Sequence, residues 1–468
     1  MKLSKFPIPD FSLVLPHDII GSNLRERRLH VGRASWSNIM KQTIAWVLVH
    51  FFFSAVITST VGAQSLNPDE KRIIEYIDKH NTEAISFLET IVNIESPTED
   101  LAGVKNVGMA IRKEFESLGM SVKWTDLPPE MIRAGHLFAE TAGTRGKRVL
   151  LLGHLDTVLR GERFRRDGNK VFGTGVNDMK GGDVVILYAL KALHAAGALK
   201  DTRIMVMLTG DEEDSGKPLL VSRADMIAAA RRSDAALSFE AAVRNTATVG
   251  RRGFSSWKIE VTAKTGHSSQ IFKDSMGSGA IFEASRILNQ FYETLKGEKY
   301  LTFNPSIIVG GTTAELNDPQ GSASGKSNVV PAKLLVSGDL RFISEEQKES
   351  ARKRMREIVS KSLPGTSATI TFTEGLPAMT PTEGNYALLK QLDQVSQDLG
   401  FGNVEALDPG DRGAGDIGAI SGIVPGIDGL GIAGGGNAHA AGEWTDIESL
   451  PMLTERAAIL IYRLTHEK

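Results

Sequence analysis

Two uninterrupted apolar runs, residues 148–152 (RVLLL) and 203–208 (RIMVML), constrain this chain more than any other feature. The apolar stretch of each shows no polar alternation, so both faces must be covered, as for strands inside a mainly parallel sheet. A parallel pair needs a crossover. Residues 181–199 (GGDVVILYALKALHAAGAL) lie between the runs and read as a helix. The unit is βαβ and the fold class is α/β.

A chain of 468 residues exceeds one ordinary core, which points to a large domain with a smaller one inserted or appended. Helices are expected over 68–94 and 98–118, with Gly119 closing the second. After Gly250 the pattern changes: 255–263 alternates like a half-exposed strand, and 279–295 is an amphipathic helix. Strands at 335–342 and 368–373 flank a helix at 345–362. Residues 252–374 therefore read as a ferredoxin-like α+β domain that interrupts a larger one made of 64–251 and 375–468. A closing helix at 448–465 is expected to cover the main sheet.

The N-terminus stands apart. Residues 43–63 (TIAWVLVHFFFSAVITSTVGA) are uncharged, mostly apolar, and end in small residues. With Lys41 ahead and Val61 and Ala63 at the cleavage box, they read as a signal peptide cut before Gln64. A single membrane anchor is the rival reading, weakened by His50 and the closing Ser, Thr and Gly residues. Residues 1–39 show no periodicity, so 1–63 are set aside as leader and signal peptide. The expected destination is periplasmic or secreted, free of the membrane after cleavage.

Charge and composition narrow the chemistry. With 54 basic against 56 acidic residues, no global field exists to hold nucleic acid. Cysteine is absent, so any metal must sit on His, Asp and Glu.

The first apolar run leads directly into Gly153-His154-Leu155-Asp156-Thr157. That places a histidine and a carboxylate past the carboxyl end of a parallel strand, where open α/β sheets bind ligands. Asp156 can reach the far ring nitrogen of His154 and fix its tautomer, although an ordinary His-Asp hydrogen bond has the same sequence. Residues 173–182 (GTGVNDMKGG) form a glycine-rich loop that opens a helix. A phosphate cradle is the rival there, disfavoured because both the P-loop ending and the dinucleotide spacing are missing. Asp178 has the alternative duty of capping that helix. The second run ends at Asp211-Glu212-Glu213-Asp214, four acids that repel one another unless a cation offsets them. A further apolar segment, 235–239, ends at Glu240, and the glycine-rich segment 431–439 ends at His439, with Glu443 beyond it.

Together GHLDT, GTGVNDMKGG, TGDEEDSG, SFEAA and HAAGE resemble, in order and approximate spacing, the co-catalytic zinc peptidases that include glutamate carboxypeptidase, acetylornithine deacetylase, succinyl-diaminopimelate desuccinylase and aminoacylase. The resemblance covers the chain from about residue 70 to the end. It implies two zinc ions per subunit, one held by His154 and Glu240 and the other by Glu213 and His439, with Asp178 shared. Asp156 then orients His154, and Glu212 is the general base. The resemblance also implies a cis peptide at Asp178-Met179 and makes 252–374 a lid and dimerisation domain, hence a homodimer. In that domain His267 matches a histidine that enters the partner's site, and Asn328 and Arg341 match substrate contacts. Arg341 or Arg412 is suited to grip a substrate carboxylate. Met179 stands where an acid is frequent, and Ser268-Ser269-Gln270 departs from the usual Ala/Gly-rich text, which leaves substrate choice open.

Glu240 in place of Asp resembles the carboxypeptidase and deacylase members more than the aminopeptidases. The expected function is a zinc carboxypeptidase that releases a C-terminal amino acid, glutamate among the candidates, from a peptide or N-acyl conjugate. The alternative is an N-acyl-amino-acid deacylase. A metal-free dimeric binding module on the same fold is the reading from another class, and the intact set of metal-ligand residues argues against it.

Overall fold

The first helix begins where its cap is strongest: the Asn67 side chain accepts the amides of Asp69 and Glu70, Glu70 returns a bond to the Asn67 amide, and Pro68 takes the first helical position. The computed structural model describes residues 66–467 apart from 244 and 318, so the expected leader and signal peptide lie outside the described residues. In chain order come α1 (Pro68–Val92), α2 (Leu101–Ser117), β1 (Ser121–Thr125), β2 (His136–Glu140), β3 (Arg145–His154), α3 (Lys180–Ala195), β4 (Thr202–Thr209) and β5 (Ala235–Ser238). Then follow β6 (Gly253–Ala263), α4 (Ala280–Leu295), β7 (Thr302–Gly311), β8 (Lys333–Phe342), α5 (Glu345–Val359) and β9 (Thr366–Glu374). The chain closes with α6 (Glu383–Asp398), β10 (Gly426–Ile427) and α7 (Ser449–His466).

The main sheet has the order β1-β2-β4-β3-β5-β10. Strands β4, β3, β5 and β10 run parallel, with β10 at one edge, and β1 and β2 form an antiparallel edge at the other. The apolar run of β3 is buried on both faces. Val149 and Leu151 join α1, α3 and α7 in the larger core, whereas Leu150 and Leu152 meet Met205, Met207, Met226 and Ile417 in another. Register pairs His154 with Thr209 and Leu152 with Ser238, which lines up the carboxyl ends of β3, β4 and β5.

The second sheet, β7-β8-β6-β9, is wholly antiparallel, with α4 and α5 packed on one face over Trp257, Ile259, Val261, Val336 and Leu340. The sequence did not betray β7. Its residues TFNPSIIVGG contain a proline and two glycines, the register shifts between Pro305 and Ile307, and as an edge strand it is mostly exposed or half-buried. A hairpin of Thr313–Asn317 with Gln320–Ser324 was likewise unread, its second strand fully exposed. Helix α2 starts at Leu101, later than the expected 98, because Asp100 accepts the Gly103 amide and caps it. Among the described residues no helix is long and apolar enough to cross a membrane.

Close backbone approach ties α3 to the site. A Cβ on Gly182 would lie 1.9 Å from the Phe239 carbonyl oxygen, and one on Gly431 would lie 2.2 Å from the same atom. Gly182→Ala should therefore push α3 off the segment that leads into Glu240, at a cost of about 1–3 kcal/mol or more. Urea unfolding measures it, and an unchanged midpoint would refute the close-packing argument.

Helix α7 also carries a buried acid. Burial, with Asp78 adding repulsion, pushes the Glu455 carboxyl up from 4.5 to about 7. The folded chain then holds this proton over a range where the unfolded chain has lost it, so stability falls as pH rises from 4.5 to about 7. Glu455→Gln should remove that decline and be more stable than wild type at pH 8 by about 1–2 kcal/mol. Superimposable stability-versus-pH curves for the two proteins would count against it.

Candidate metal centre

Five chain segments deliver the site: His154 ends β3, Asp178 precedes α3, Glu212 and Glu213 follow β4, Glu240 follows β5, and His439 lies in the loop before α7. His154 Nε2 is 3.2 Å from Asp178 Oδ1 and 3.9 Å from Glu240 Oε1. His439 Nε2 is 3.1 Å from Asp178 Oδ2 and 3.2 Å from Glu213 Oε2. Asp178 thus gives one oxygen to each histidine. Two donor groups result, His154 with Asp178 and Glu213, and His154 with Glu212 and Glu240, each with its atoms within 4.8 Å of one another.

So many buried acids strain their own charge. Burial, with Glu240 adding repulsion, raises Glu212 well above the usual carboxylate range. Burial pushes Glu240 up to about 7 and raises Glu213 as well. Burial acts the same way on Asp178, but hydrogen bonds from His154 and His439 outweigh it and hold its carboxyl well below the ordinary value. Hydrogen bonds to Asp178 and Glu213 push His439 up to about 10. Burial opposes charge on His154, yet Asp156 and Asp178 raise it well above the ordinary imidazole range. This donor set, carboxylate oxygen and imidazole nitrogen without sulfur, fits divalent cations such as zinc, whose charge would offset the repulsion.

The supporting residues explain how the cluster is held. Asp156 does more than face His154: its carboxylate accepts the Glu212 and Glu213 amides, both at 3.1 Å, and the Thr98 hydroxyl at 2.7 Å. His154 Nδ1 lies 3.0 Å from the Asp156 carbonyl oxygen and 3.5 Å from its carboxylate. The glycine-rich loop is indeed an anion cradle, but its occupant is the protein's own Glu443. That carboxylate accepts the amides of Gly175 at 2.7 Å, Asn177 at 2.8 Å and Asp178 at 2.9 Å. Helix α3 has Met179 at its N-cap without a side-chain bond, so Asp178 is free of capping duty, and the Asp178-Met179 peptide is cis.

Of the four consecutive acids only Glu212 and Glu213 face the site, and the repulsion of the other two is offset by arginines of the chain itself. Asp211 turns inward, 2.6 Å from Arg223 Nη1, and also accepts Ser222 and the Gly216 amide. Asp214 pairs with Arg133. Arg223 is fully buried and also holds Asp416 at 2.6 Å, which in turn accepts the Thr209 hydroxyl at the end of β4. Sequence reading missed Arg223, which sits outside every motif, and gave Glu443 no role although it follows His439 by four residues.

The remaining expected residues fall elsewhere. His267 is exposed, with Nδ1 2.8 Å from Ser269 Oγ, and the Ser268 amide donates to the Asn328 carbonyl at 2.9 Å. These two are neighbours, and among the described residues neither makes a hydrogen bond or ion pair with the cluster. Arg341, on β8, is 2.9 Å from Asp339 and lies over the Phe254 ring. Arg412 instead donates to the Ala241 carbonyl at 2.7 Å, next to Glu240. A cleft lined by Thr157, Val158, Leu159 and Thr174 opens over Asp178, Glu213 and His439.

Comparison with known proteins gives the chain a family. Carboxypeptidase G2 of Pseudomonas sp. (strain RS-16) is 30% identical over 390 residues, covering 81% of this chain and 89% of that protein. Succinyl-diaminopimelate desuccinylase of Delftia acidovorans is 26% identical over 294 residues, covering 59% of this chain and 72% of that protein. A tripeptidase from Staphylococcus aureus shares the fold, with a TM-score of 0.63 at 18% identity, over 83% of this chain and 99% of that one. Residues 150–463 match the profile of Peptidase family M20/M25/M40. The chain, a metallo-hydrolase, belongs to that family.

Proposed function

We propose that this protein is an exported two-zinc carboxypeptidase, which hydrolyses the amide bond before a free C-terminal amino acid, glutamate among them, in a peptide or N-acyl conjugate. One observation carries the reading: Glu212 stands beside the histidine–carboxylate cluster, grouped with His154 and Glu240, yet is ion-paired to neither histidine. Burial keeps its proton affinity high, as a general base requires. The name of the carboxypeptidase relative and the Glu240 ligand type favour C-terminal trimming. Residues 43–63 support export.

His154 and Glu240 would hold one zinc and Glu213 and His439 the other, with Asp178 serving both. When bound, the metals supply Lewis-acid polarisation of the amide carbonyl and make water more acidic. Glu212 takes a proton from the attacking water and delivers it to the leaving nitrogen. Asp156 fixes the backbone of Glu212 and Glu213, and Glu443 fixes that of Asp178. In a homodimer, His267 of one subunit donates to the oxyanion in the site of the other. A panel of N-blocked dipeptides with varied C-terminal residues, assayed for freed amino acid, tests the substrate class. Cleavage of simple N-acyl amino acids alone would make the enzyme a deacylase instead.

Glu212→Gln should keep its zinc while kcat falls by about two to four orders of magnitude. Glu213→Gln should instead lose metal, as read by elemental analysis. A Glu212→Gln protein that retains most of its activity would remove Glu212 from the role of base.

The dimer is tested by complementation. His267→Ala should lower kcat about 100-fold to 1000-fold with both zinc ions in place. Refolding it together with Glu212→Gln should restore activity, because one site of each heterodimer then combines a sound metal centre with a sound His267. Verified heterodimers no more active than their parents would show that His267 does not act across the interface.

A further inference from the structure

Helix α7 carries a cation that the fold leaves without an acid. Arg456 is 4% exposed, and among the described residues no carboxylate lies within ion-pair distance of it. Burial disfavours the charged guanidinium, and no neighbouring charge acts on it in either direction. Among the described residues only Nη2 is bonded, to the Asn245 side-chain oxygen at 3.0 Å and the Phe401 carbonyl at 3.4 Å, while Nε is buried without a partner. Buried charges are ordinarily paired, because an unpaired one loses its water and gains nothing. Three other arginines share the unpartnered Nε, but each is placed differently. Arg352 has Glu349 at 3.0 Å and Glu374 at 2.6 Å, Arg252 is half-buried, and Arg412 is attracted by Asp428 and Glu240. Arg456 instead lines a cavity of about 10 Å³, shared with Thr246, Leu392 of α6, Leu430, and Leu453 and Leu460 of α7. None of the metal-cluster residues belongs to that lining.

The size and walls of the cavity select the occupant. Its volume is on the scale of one water-sized particle, which excludes a peptide, a nucleotide or a long-chain acid. A water needs two to four polar partners, and the other polar side chain of the wall, Thr246, already gives its hydroxyl proton to the Val243 carbonyl. An oxyanion of higher charge would bring more acceptors than one guanidinium can meet. A halide is singly charged and has no preferred bond direction, so it can face Arg456 on one side and leucines on the others. We infer that Arg456 and the apolar residues around it form a binding site for one halide-sized monovalent anion, chloride above all, which neutralises the guanidinium and ties α6 and α7 to the segment at Leu430. The site is independent of the carboxypeptidase reading.

The test compares wild type with Arg456→Met at matched zinc content, in sodium gluconate that is replaced stepwise by sodium chloride at constant ionic strength. Gluconate is too large for the cavity, so the exchange changes only the anion that can enter. The melting temperature of wild type should rise by about 1–3 °C and level off once chloride reaches roughly ten times its Kd. Arg456→Met should show no such rise. An equal rise in both proteins would assign the effect to salt in general or to chloride on the metal centre, and would overturn the inference. A wild-type melting temperature indifferent to chloride would overturn it as well. Crystals of wild type soaked in sodium bromide give a second reading that does not depend on the variant folding. An anomalous bromide peak beside Arg456 Nε is expected, and its absence would overturn the inference whatever the melting curves show.

Discussion

The carboxylate of Asp178, shared between two histidines from distant parts of the chain, is the contact on which the rest of the site depends. Its oxygens lie 3.2 Å from His154 and 3.1 Å from His439. To hold that geometry the loop before α3 must be rigid, and a loop has no ladder of its own. Glu443 supplies the rigidity by accepting the amides of Gly175, Asn177 and Asp178, which ties its carboxylate to backbone and leaves the Asp178 side chain for the histidines. Since Glu443 follows His439 by four residues, the same short segment supplies one histidine and secures the acid that faces it.

The buried charges around the site follow a division of labour. Asp211 and Asp416 are matched by Arg223, and Asp428 by Arg251. Such pairs are weak as sources of stability, since desolvation cancels most of their attraction, but once formed they fix positions firmly. Here they fix the chain on either side of Glu212 and near Glu240. Of the cluster's acids, Asp178 and Glu213 face imidazole, Glu240 lies between His154 at 3.9 Å and Arg251 at 3.7 Å, and among the described residues Glu212 has no ion-pair partner. Several carboxylates with little fixed compensation are thereby gathered where divalent cations fit.

The fold was legible because burial on both faces is written directly into RVLLL and RIMVML, and strand ends then dictated where His154, Glu212 and Glu213 would lie. Asp178 and His439 needed the glycine-rich texts and the family resemblance as well. What stayed hidden was of two kinds. Edge strand β7 shows no pattern because it has only one covered neighbour and carries a proline and a bulge. Arg223 and Glu443 act through partners brought close by folding, Arg223 with Asp416 and Glu443 with Gly175, and no local periodicity announces a pair so far apart in the chain.

The two histidines of the cluster are built to different standards, and the difference has a physical source. His154 is the last residue of a central strand, almost wholly buried, and its ring is set by Asp156. His439 sits in a glycine-rich loop with φ of 64°, and its side chain is 56% exposed. A left-handed conformation in a residue other than glycine persists only where surrounding contacts hold it. For His439 those contacts include Asp178 and Glu213, both of them members of the cluster, and the flanking bond from the Ala440 amide to the Asn437 carbonyl. The strand side of the centre therefore owes its shape to the apolar core, whereas the loop side is held by the paired Gly436 and Trp444 backbones, by Glu443 and by the cluster itself.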